Sequence, residues 1–138
     1  MVELFLDTSY AIALSAPSDQ HHDRAVGLAR EIESENRRLV TTRAVMVEIG
    51  NALAKQRYRA AATALLAAME EDSGIEIIAL SDTLFSRAML IFRERTDKEW
   101  GLTDCVSFVV MQDRHITDAL TADTHFRQAG FQPLLLND

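Results

Sequence analysis

The sequence of 138 residues predicts an α/β fold, in which helices cover both faces of a parallel β-sheet. Three observations lead to this prediction. Short apolar stretches alternate with longer helix-like ones, as strands and crossover helices do in βαβ units. The strand-like stretches show little polar alternation, which is typical of strands buried on both faces. The first of them, residues 2–6, ends in Asp7, at the position where such folds place functional groups.

Length, composition and charge narrow the class of protein. We expect one domain over residues 1–138, since this length is close to the commonest domain size and 48% of the residues are hydrophobic. The sequence shows neither a secretory signal nor a membrane span, and its single Cys105 cannot form an internal disulfide, so we expect a cytoplasmic protein. The net charge of −7 argues against a generally basic nucleic-acid-binding surface, but it is compatible with an enzyme whose acids bind metal ions.

The first part of the chain predicts a short helix after the first strand and a longer one behind it. Thr8 or Ser9 is expected to cap the short helix, which starts at Tyr10. The longer helix is expected to follow Asp19 and to reach about Glu35, because apolar residues recur there at intervals of three and four.

The middle of the chain predicts two further strands. They cover residues 39–41 and 75–80, with a helix directly after the first and a long Ala-rich helix over residues 58–71. Ser81 or Asp82 is expected to cap the helix that follows the third strand.

The last part predicts a buried helix and two more strands. Thr103 is expected to cap a helix that is apolar on nearly all sides and therefore buried. Residues 117–123 predict the fourth strand, and a short helix is expected to stop at Gly130. Residues 131–136 predict a final strand, which Pro133 marks as an edge.

Four acidic residues fall at equivalent places near the ends of predicted strands. Asp7 follows the first strand and Asp123 ends the fourth. Asp104 opens the buried helix, and Glu48 lies early in the helix after the second strand. Because the carboxyl ends of parallel strands meet at one edge, we expect these side chains to converge. Clustered carboxylates repel one another unless a cation joins them, and oxygen ligands favour hard ions, so Mg²⁺ or Mn²⁺ is the expected cofactor.

Taken singly, each acid also has a purely structural interpretation. An Asx turn explains Asp7, and the positive end of a helix explains Asp104. Asp123 fits a cap of the last helix, and Glu48 fits a solvated position beside apolar neighbours. The functional interpretation depends on the four acids occurring together.

These residues resemble the motifs of the PIN-domain ribonucleases. The resemblance rests on Asp7-Thr8-Ser9, on Glu48, on Leu-Thr-Asp at residues 102–104, and on Thr-Ala-Asp-Thr-His-Phe at residues 121–126. The segment Trp-Gly-Leu-Thr-Asp-Cys-Val-Ser-Phe at residues 100–108 is close to that of the VapC-type toxins in this family. The resemblance covers the chain from residue 2 to the last strand, and it implies five strands in the order 3-2-1-4-5.

The resemblance also implies an activity, namely Mg²⁺- or Mn²⁺-dependent cleavage of single-stranded RNA (tRNA, rRNA or mRNA) to a 5′-phosphate and a 3′-hydroxyl. Asp7 and Asp104 would hold the principal metal, and Asp123 would complete the metal site. Glu48 would position or deprotonate the attacking water. The carboxylates would be oriented by the hydroxyls of Thr8, Ser9, Thr103 and Thr121.

As for partners, the resemblance implies a homodimer and a small antitoxin whose C-terminal segment docks near the active site. The Ala-rich residues 60–69 permit close helix approach, and they are a candidate for a groove or a dimer face. Core packing against the preceding helix is the alternative for most of them.

Other residues have two interpretations each. Asp97 is either a fifth acid at the pocket mouth or a solvated loop residue, and Trp100 either stacks on a base or packs over a helix start. His125 is a metal ligand or proton donor, or else a surface or capping histidine. The densest basic residues either follow the RNA backbone or meet an acidic partner, or they simply lie at exposed helix ends; they are Arg43, Lys55, Arg57 and Arg59.

Three alternatives to a metal-dependent ribonuclease fit parts of the sequence. A phosphoacceptor regulatory domain needs an acceptor Asp at the end of strand three and a late Lys, and Asp82 fits the first requirement poorly, while Lys98 is the last lysine. An Asp-x-Asp phosphatase is excluded because position 9 is serine. A non-cleaving PIN-like module that binds RNA or a partner is the third alternative.

Overall fold

The computed structural model describes residues 2–136 and contains one parallel five-stranded sheet in the order β3-β2-β1-β4-β5. The predicted fold class and strand order are therefore confirmed. The strands are β1 (Leu4–Leu6), β2 (Leu39–Thr42), β3 (Ile75–Ile78), β4 (Asp118–Leu120) and β5 (Gln132–Pro133).

Seven helices surround the sheet within the described residues, and none of them is both long and apolar enough to cross a membrane. They are α1 (Thr8–Ser15), α2 (His22–Glu35), α3 (Arg43–Ala52), α4 (Gln56–Glu71), α5 (Asp82–Glu94), α6 (Leu102–Arg114) and α7 (Thr124–Gln128).

Strand β1 is the centre of the sheet. Its Phe5 is fully buried and pairs with Val40 of β2 on one side and with Ala119 of β4 on the other. The chain therefore leaves β1 towards β2 and returns to β4 across the sheet. Such a reversal opens a crevice between the carboxyl ends of the two strands it separates, which here are β1 and β4.

The N-terminal helices begin at other residues than the sequence predicts. Helix α1 begins at Thr8, so neither Thr8 nor Ser9 is its cap; Asp7 holds that position, and its side chain makes no capping hydrogen bond. Helix α2 begins at His22, because the Asp19 carboxylate accepts a hydrogen bond from the backbone N–H of His21 (2.8 Å) and closes a turn instead of capping the helix.

The cap predicted for the buried helix is also wrong. Gly101, not Thr103, precedes α6, and Asp104 Oδ2 accepts a hydrogen bond from the Gly101 N–H (3.1 Å). A carboxylate at the third helical position satisfies the same free N–H group from inside the helix. Residues 104–111 are all buried, as predicted for this helix.

The last three strands are shorter than predicted, and β3 ends at Ile78 instead of residue 80. Strand β4 ends at Leu120, and the next backbone N–H groups are bound by side chains, since Ala122 N donates to Ser9 Oγ (2.9 Å) and Asp123 N donates to Thr121 Oγ1 (3.1 Å). Strand β5 has only two residues. It is an edge strand, as the presence of Pro133 predicts. Helix α7 ends as expected before Gly130, whose φ of +95° suits glycine.

An aromatic cluster joins α6 to the C-terminal elements. The ring of Phe108 lies edge-on to Trp100 at 5.0 Å and to Phe126 of α7 at 5.1 Å, with Phe131 at 5.7 Å on its remaining side. Such pairs stabilise beyond their buried area. Phe108 thus fixes the position of α7 relative to α6, and with it the distance between the acids that the two helices carry.

We predict that Phe108→Ala lowers the free energy of unfolding by about 3–5 kcal/mol, because it leaves a cavity where three aromatic rings meet. Chemical denaturation measures the change. Tyr58→Ala on α4 is the control, since that residue is 41% exposed and its loss should cost less than about 1 kcal/mol. Equal losses in the two variants would contradict this role of Phe108.

Candidate active site

The site begins with Asp7, which directly follows β1. Its backbone N–H donates to the carbonyl oxygen of Leu120 (3.2 Å), which continues the pairing of β1 with β4 past the strand end. The residue is only 4% exposed. The parallel pairing therefore delivers a buried carboxylate to the crevice between the two strands.

Two hydroxyl groups hold this carboxylate in place. Thr121 Oγ1 donates to Asp7 Oδ2 at 2.7 Å and also lies 3.1 Å from Ser9 Oγ. Since the single hydroxyl proton of Thr121 goes to Asp7, Thr121 must accept from Ser9. The Asp123 N–H provides its second incoming hydrogen bond. The donor and the acceptor of each hydrogen bond in this series, from Ser9 to Thr121 to Asp7, are therefore defined.

One half of the Asp7 carboxylate lacks such a partner. Within residues 2–136, Asp7 Oδ1 and Thr8 Oγ1 are the buried side-chain polar atoms without a hydrogen bond. Burial raises the pKa of Asp7 to about 7; the bond from Thr121 opposes this shift, and the charges of Asp104 and Glu48 add to it. The backbone N–H of Thr8 also lowers the pKa of Asp7, yet Oδ1 makes no hydrogen bond, and a cation would give this buried oxygen a partner.

The second part of the site lies on α6 and α7. His125 Nδ1 is 2.9 Å from Asp104 Oδ2 and 3.4 Å from Asp123 Oδ1. One ligand atom from each of these three residues lies within 4.8 Å of the others. Burial raises the pKa of Asp104 and Asp123 raises it further, although the bond to His125 opposes the shift. The three side chains together form a group with the spacing of metal ligands.

Glu48 approaches from α3. It lies in the second turn of that helix, is partly exposed, and acts electrostatically on Asp7. Helix α3 is fixed at the sheet edge because Thr42, the last residue of β2, accepts a hydrogen bond from Val45 N (3.1 Å) and caps it. The structure therefore brings side chains from four different elements to one edge of the sheet.

Several other candidates from the sequence lie apart from this cluster. Asp97 is exposed and ion-paired with Arg95 (3.0 Å), which supports its interpretation as a solvated loop acid. Trp100 is buried and donates to Gln128 Oε1 (3.0 Å), so it packs over the start of α6 as the second interpretation held. The backbone carbonyl of Thr103 accepts a bond from Ser107 (3.1 Å).

The four basic candidates are exposed. Arg43 opens α3 at the sheet edge and is ion-paired with Glu70. Arg59 donates to the carbonyl of Ala54, and Arg57 lies over the ring of Tyr58. Lys55, Arg57 and Arg59 are separated from that edge by the length of α3, so contact with RNA stays a prediction for all four.

His125 lies within this group of acids, although 29% of its side chain is exposed, so its role as a metal ligand or proton donor stays a prediction. Asp123 does cap α7 by accepting from His125 N (2.8 Å), and this bond places the next turn so that the imidazole reaches Asp104. The sequence contains a signal for this contact, because Asp123 and His125 stand two residues apart at the start of a predicted helix. Cys105 is buried as expected, and burial raises the pKa of its thiol to about 11.

The comparison with known families decides the identity of the fold. The family model described as "PIN domain" matches residues 4–132. The chain belongs to this family. The family match and the similarity to VapC20 confirm the resemblance to VapC-type PIN domains.

Two solved structures resemble this PIN domain along nearly its whole length. VapC20 of Mycobacterium tuberculosis, described as a toxin that cleaves the sarcin-ricin loop, has a TM-score of 0.81 and 25% identity, over 93% of this chain and 95% of that one. VapBC2 of Rickettsia felis, bound to a DNA fragment from the promoter, has a TM-score of 0.69 and 15% identity, over 96% of each chain, and supports the fold alone. Among curated proteins no sequence matches significantly.

We predict that Asp7→Asn stabilises the metal-free PIN domain at high pH. Folding raises the pKa of Asp7 from 3.8 to about 7, so its contribution to stability is fully present below about pH 3.8 and is lost as the pH rises through 7. The variant lacks this loss, and at about pH 8 it should exceed the wild type by on the order of 1–3 kcal/mol, with little difference at about pH 4.

Urea unfolding in EDTA at both pH values measures this difference. Asp23→Asn, at an exposed position of α2, is the matched control and should follow the wild type within about 0.5 kcal/mol. If the variant is no more stable than the wild type at high pH, ionisation of Asp7 does not destabilise the fold.

Proposed function

We propose that this PIN domain is a metal-dependent endoribonuclease of the VapC type, cleaving single-stranded RNA. The observation that carries the proposal is the unpartnered Oδ1 of Asp7, buried beside the charges of Asp104 and Glu48. Purely structural carboxylates at strand ends cap helices or pair with basic side chains, and Asp7 does neither.

The donor set fits a divalent cation. Asp7, Asp104 and Asp123 offer carboxylate oxygens at one edge of the sheet, and such oxygens favour Mg²⁺ or Mn²⁺. A bound cation would supply charge that offsets these carboxylates and the negative charge developing on a phosphodiester oxygen. Its charge would oppose the rise in the pKa of Asp7 that burial causes, because an opposite charge favours the ionised form.

The residues of the chain then have separate roles. Thr121 and Ser9 hold Asp7 Oδ2 in one orientation, so that Oδ1 stays directed away from the network. Glu48 is more exposed than Asp7 and is suited to accept a proton from the attacking water. In-line attack at phosphorus leaves a 5′-phosphate and a 3′-hydroxyl when the 3′ oxygen is the leaving group.

The similarity to VapC20, a toxin that cleaves the sarcin-ricin loop, supports the proposal that this chain is a toxin that cleaves RNA. We propose that this chain is the toxin of a type II toxin–antitoxin pair, acting in the cytoplasm on tRNA, rRNA or mRNA. The phosphoacceptor alternative loses support, because Ala79 and Leu80 follow β3 and no acid stands at its carboxyl end. A nuclease assay distinguishes this proposal from the alternative of a module that binds RNA without cutting it.

A groove offers a surface for the antitoxin. It has a volume of about 850 Å³ and lies between α2 and α4. The apolar side chains of Ile32 and Leu65 line its walls, with Leu39 and Ile75 at its base. Ala62 and Met69 of the Ala-rich helix α4 are buried and Leu65 and Leu66 pack partly against the core, whereas the other residues at positions 60–69 are exposed. We propose that an apolar segment of a small antitoxin occupies the groove.

We also propose that the protein forms a homodimer, with α5 and not α4 at its interface. Phe85 and Phe92 lie on one face of α5 and are 43% and 47% exposed. Large apolar side chains in one stripe mark interaction surfaces more often than single exposed ones do.

We predict that Asp7→Asn, Asp104→Asn and Glu48→Gln each lower RNA cleavage at least about 100-fold while the protein stays folded, since each removes a charge from the reaction site. EDTA should abolish cleavage, and Mn²⁺ or Mg²⁺ should restore it. Gel analysis of total RNA measures the rates, and circular dichroism verifies the fold.

The matched control is Asp118→Asn, at the opposite end of β4 from the site, and it should cut within about twofold of the wild type. Cleavage that survives EDTA, or that all three site variants retain, would overturn the nuclease proposal. Metal-dependent RNA binding without cleavage would establish the non-cleaving alternative.

We predict that Phe85→Glu combined with Phe92→Glu converts the dimer to a monomer, because charges would then have to be buried in an apolar interface. Sedimentation velocity measures the state. Ala61→Glu, at an exposed position of α4, is the control and should leave the dimer intact. A wild type that sediments as a monomer would refute the dimer, and a dimer retained by the double variant would refute the α5 interface.

A further inference from the structure

His125 does more in this structure than a nuclease site built of carboxylates requires. Its Nδ1 atom lies 2.9 Å from Asp104 Oδ2 and 3.4 Å from Asp123 Oδ1, so it points between two acids that come from different helices. The imidazole is partly buried, with 29% of the side chain exposed, and is therefore accessible to a small ion.

The position of this nitrogen is built into the fold. Asp123 accepts the backbone N–H of His125 at 2.8 Å and thereby fixes the first turn of α7 beside its own carboxylate. Phe126, the next residue, is fully buried and packs against Phe108 of α6 at 5.1 Å. The same packing that holds α7 on α6 therefore directs His125 at Asp104.

The three ligand atoms have the spacing of a metal site. His125 Nδ1 lies 2.9 Å from an oxygen of Asp104 and 3.4 Å from an oxygen of Asp123, and a single ion with bonds of about 2.0–2.3 Å spans ligand atoms up to about 4.5 Å apart. A second observation points to a cation at this edge of the sheet, because the buried Oδ1 of Asp7 makes no hydrogen bond and the charge of Asp104 acts on the same carboxylate.

We propose that His125 Nδ1 is a nitrogen ligand of the catalytic cation and that it makes this site prefer Mn²⁺ over Mg²⁺, an inference that rests on the proposed metal-dependent function. Mg²⁺ takes oxygen ligands and gives up water reluctantly. Mn²⁺ accepts the same carboxylates and belongs to the transition series whose ions bind imidazole. A mixed site of oxygen and one nitrogen therefore distinguishes between two ions that an all-carboxylate site treats alike.

The test compares the full-length wild type with His125→Asn, which keeps a small polar group but removes the imidazole. His115→Asn is the matched control, since His115 is exposed at the end of α6 and its φ of 55° suits asparagine. Titration calorimetry with MnCl₂ and with MgCl₂ gives the two affinities. Electron spin echo envelope modulation of bound Mn²⁺ detects a coordinated ¹⁴N directly.

We expect ¹⁴N modulation in the wild type and in His115→Asn, its loss in His125→Asn, and its loss again when the histidines carry ¹⁵N. We also expect His125→Asn to lower the affinity for Mn²⁺ about tenfold or more, as removal of a metal contact typically does, and that for Mg²⁺ by less than about threefold. These readouts are independent of RNA cleavage.

Three results would overturn the proposal. Bound Mn²⁺ without ¹⁴N modulation in the wild type would make His125 only an ion-pair partner of Asp104 and would leave the nuclease proposal standing. Equal losses of Mn²⁺ and Mg²⁺ affinity in His125→Asn would mean that the histidine merely orients the acids. Failure of the wild type to bind either ion would refute the proposed metal-dependent function as well. The wild-type spectrum decides the question even if the variant does not fold.

Discussion

The pairing of β1 with β4 is the constraint on which the rest of the structure depends. It places Asp7 beside Leu120 and Thr121, which are more than a hundred positions away in the sequence, and it removes the carboxylate from water. Every other feature of the site either orients this carboxylate or brings more charge to it. The crevice at this strand pair is a consequence of the strand order, because β2 and β3 lie on one side of β1 and β4 and β5 lie on the other.

The burial of Asp7 opposes folding, and the local contacts offset it only in part. Thr121 donates to one carboxylate oxygen and is itself oriented by Ser9, while the other oxygen makes no hydrogen bond. A protein without a use for this carboxylate would be more stable with a neutral side chain there, since buried charges cost free energy unless they are paired. A single destabilising residue in an otherwise well-packed sheet is typical of functional sites, where activity requires a side chain that lowers stability.

The remaining acids reach the site through packing around α6. This helix is buried along residues 104–111, and Phe108 joins it to α7 and to the C-terminal segment. Asp104 has a structural and a chemical role at once, because the oxygen that accepts the Gly101 N–H also meets His125. Asp123 likewise caps α7 while it faces the acids. The structural and functional interpretations of these residues are therefore compatible, and a capping role is no argument against a role in metal binding.

The sequence by itself determined the fold class, the order of elements and the positions of the four acids, because each depends on a local pattern: an apolar run, a helical period, or an acid directly after a strand. Only the tertiary structure decided where β4 ends, which residue precedes α6, and that His125 points at Asp104. These features depend on contacts between distant segments, such as the bond from Ala122 N to Ser9 Oγ, which spans 113 positions. The exposed stripe on α5 is another example, since exposure is a property of the packed molecule and is not encoded in any single segment.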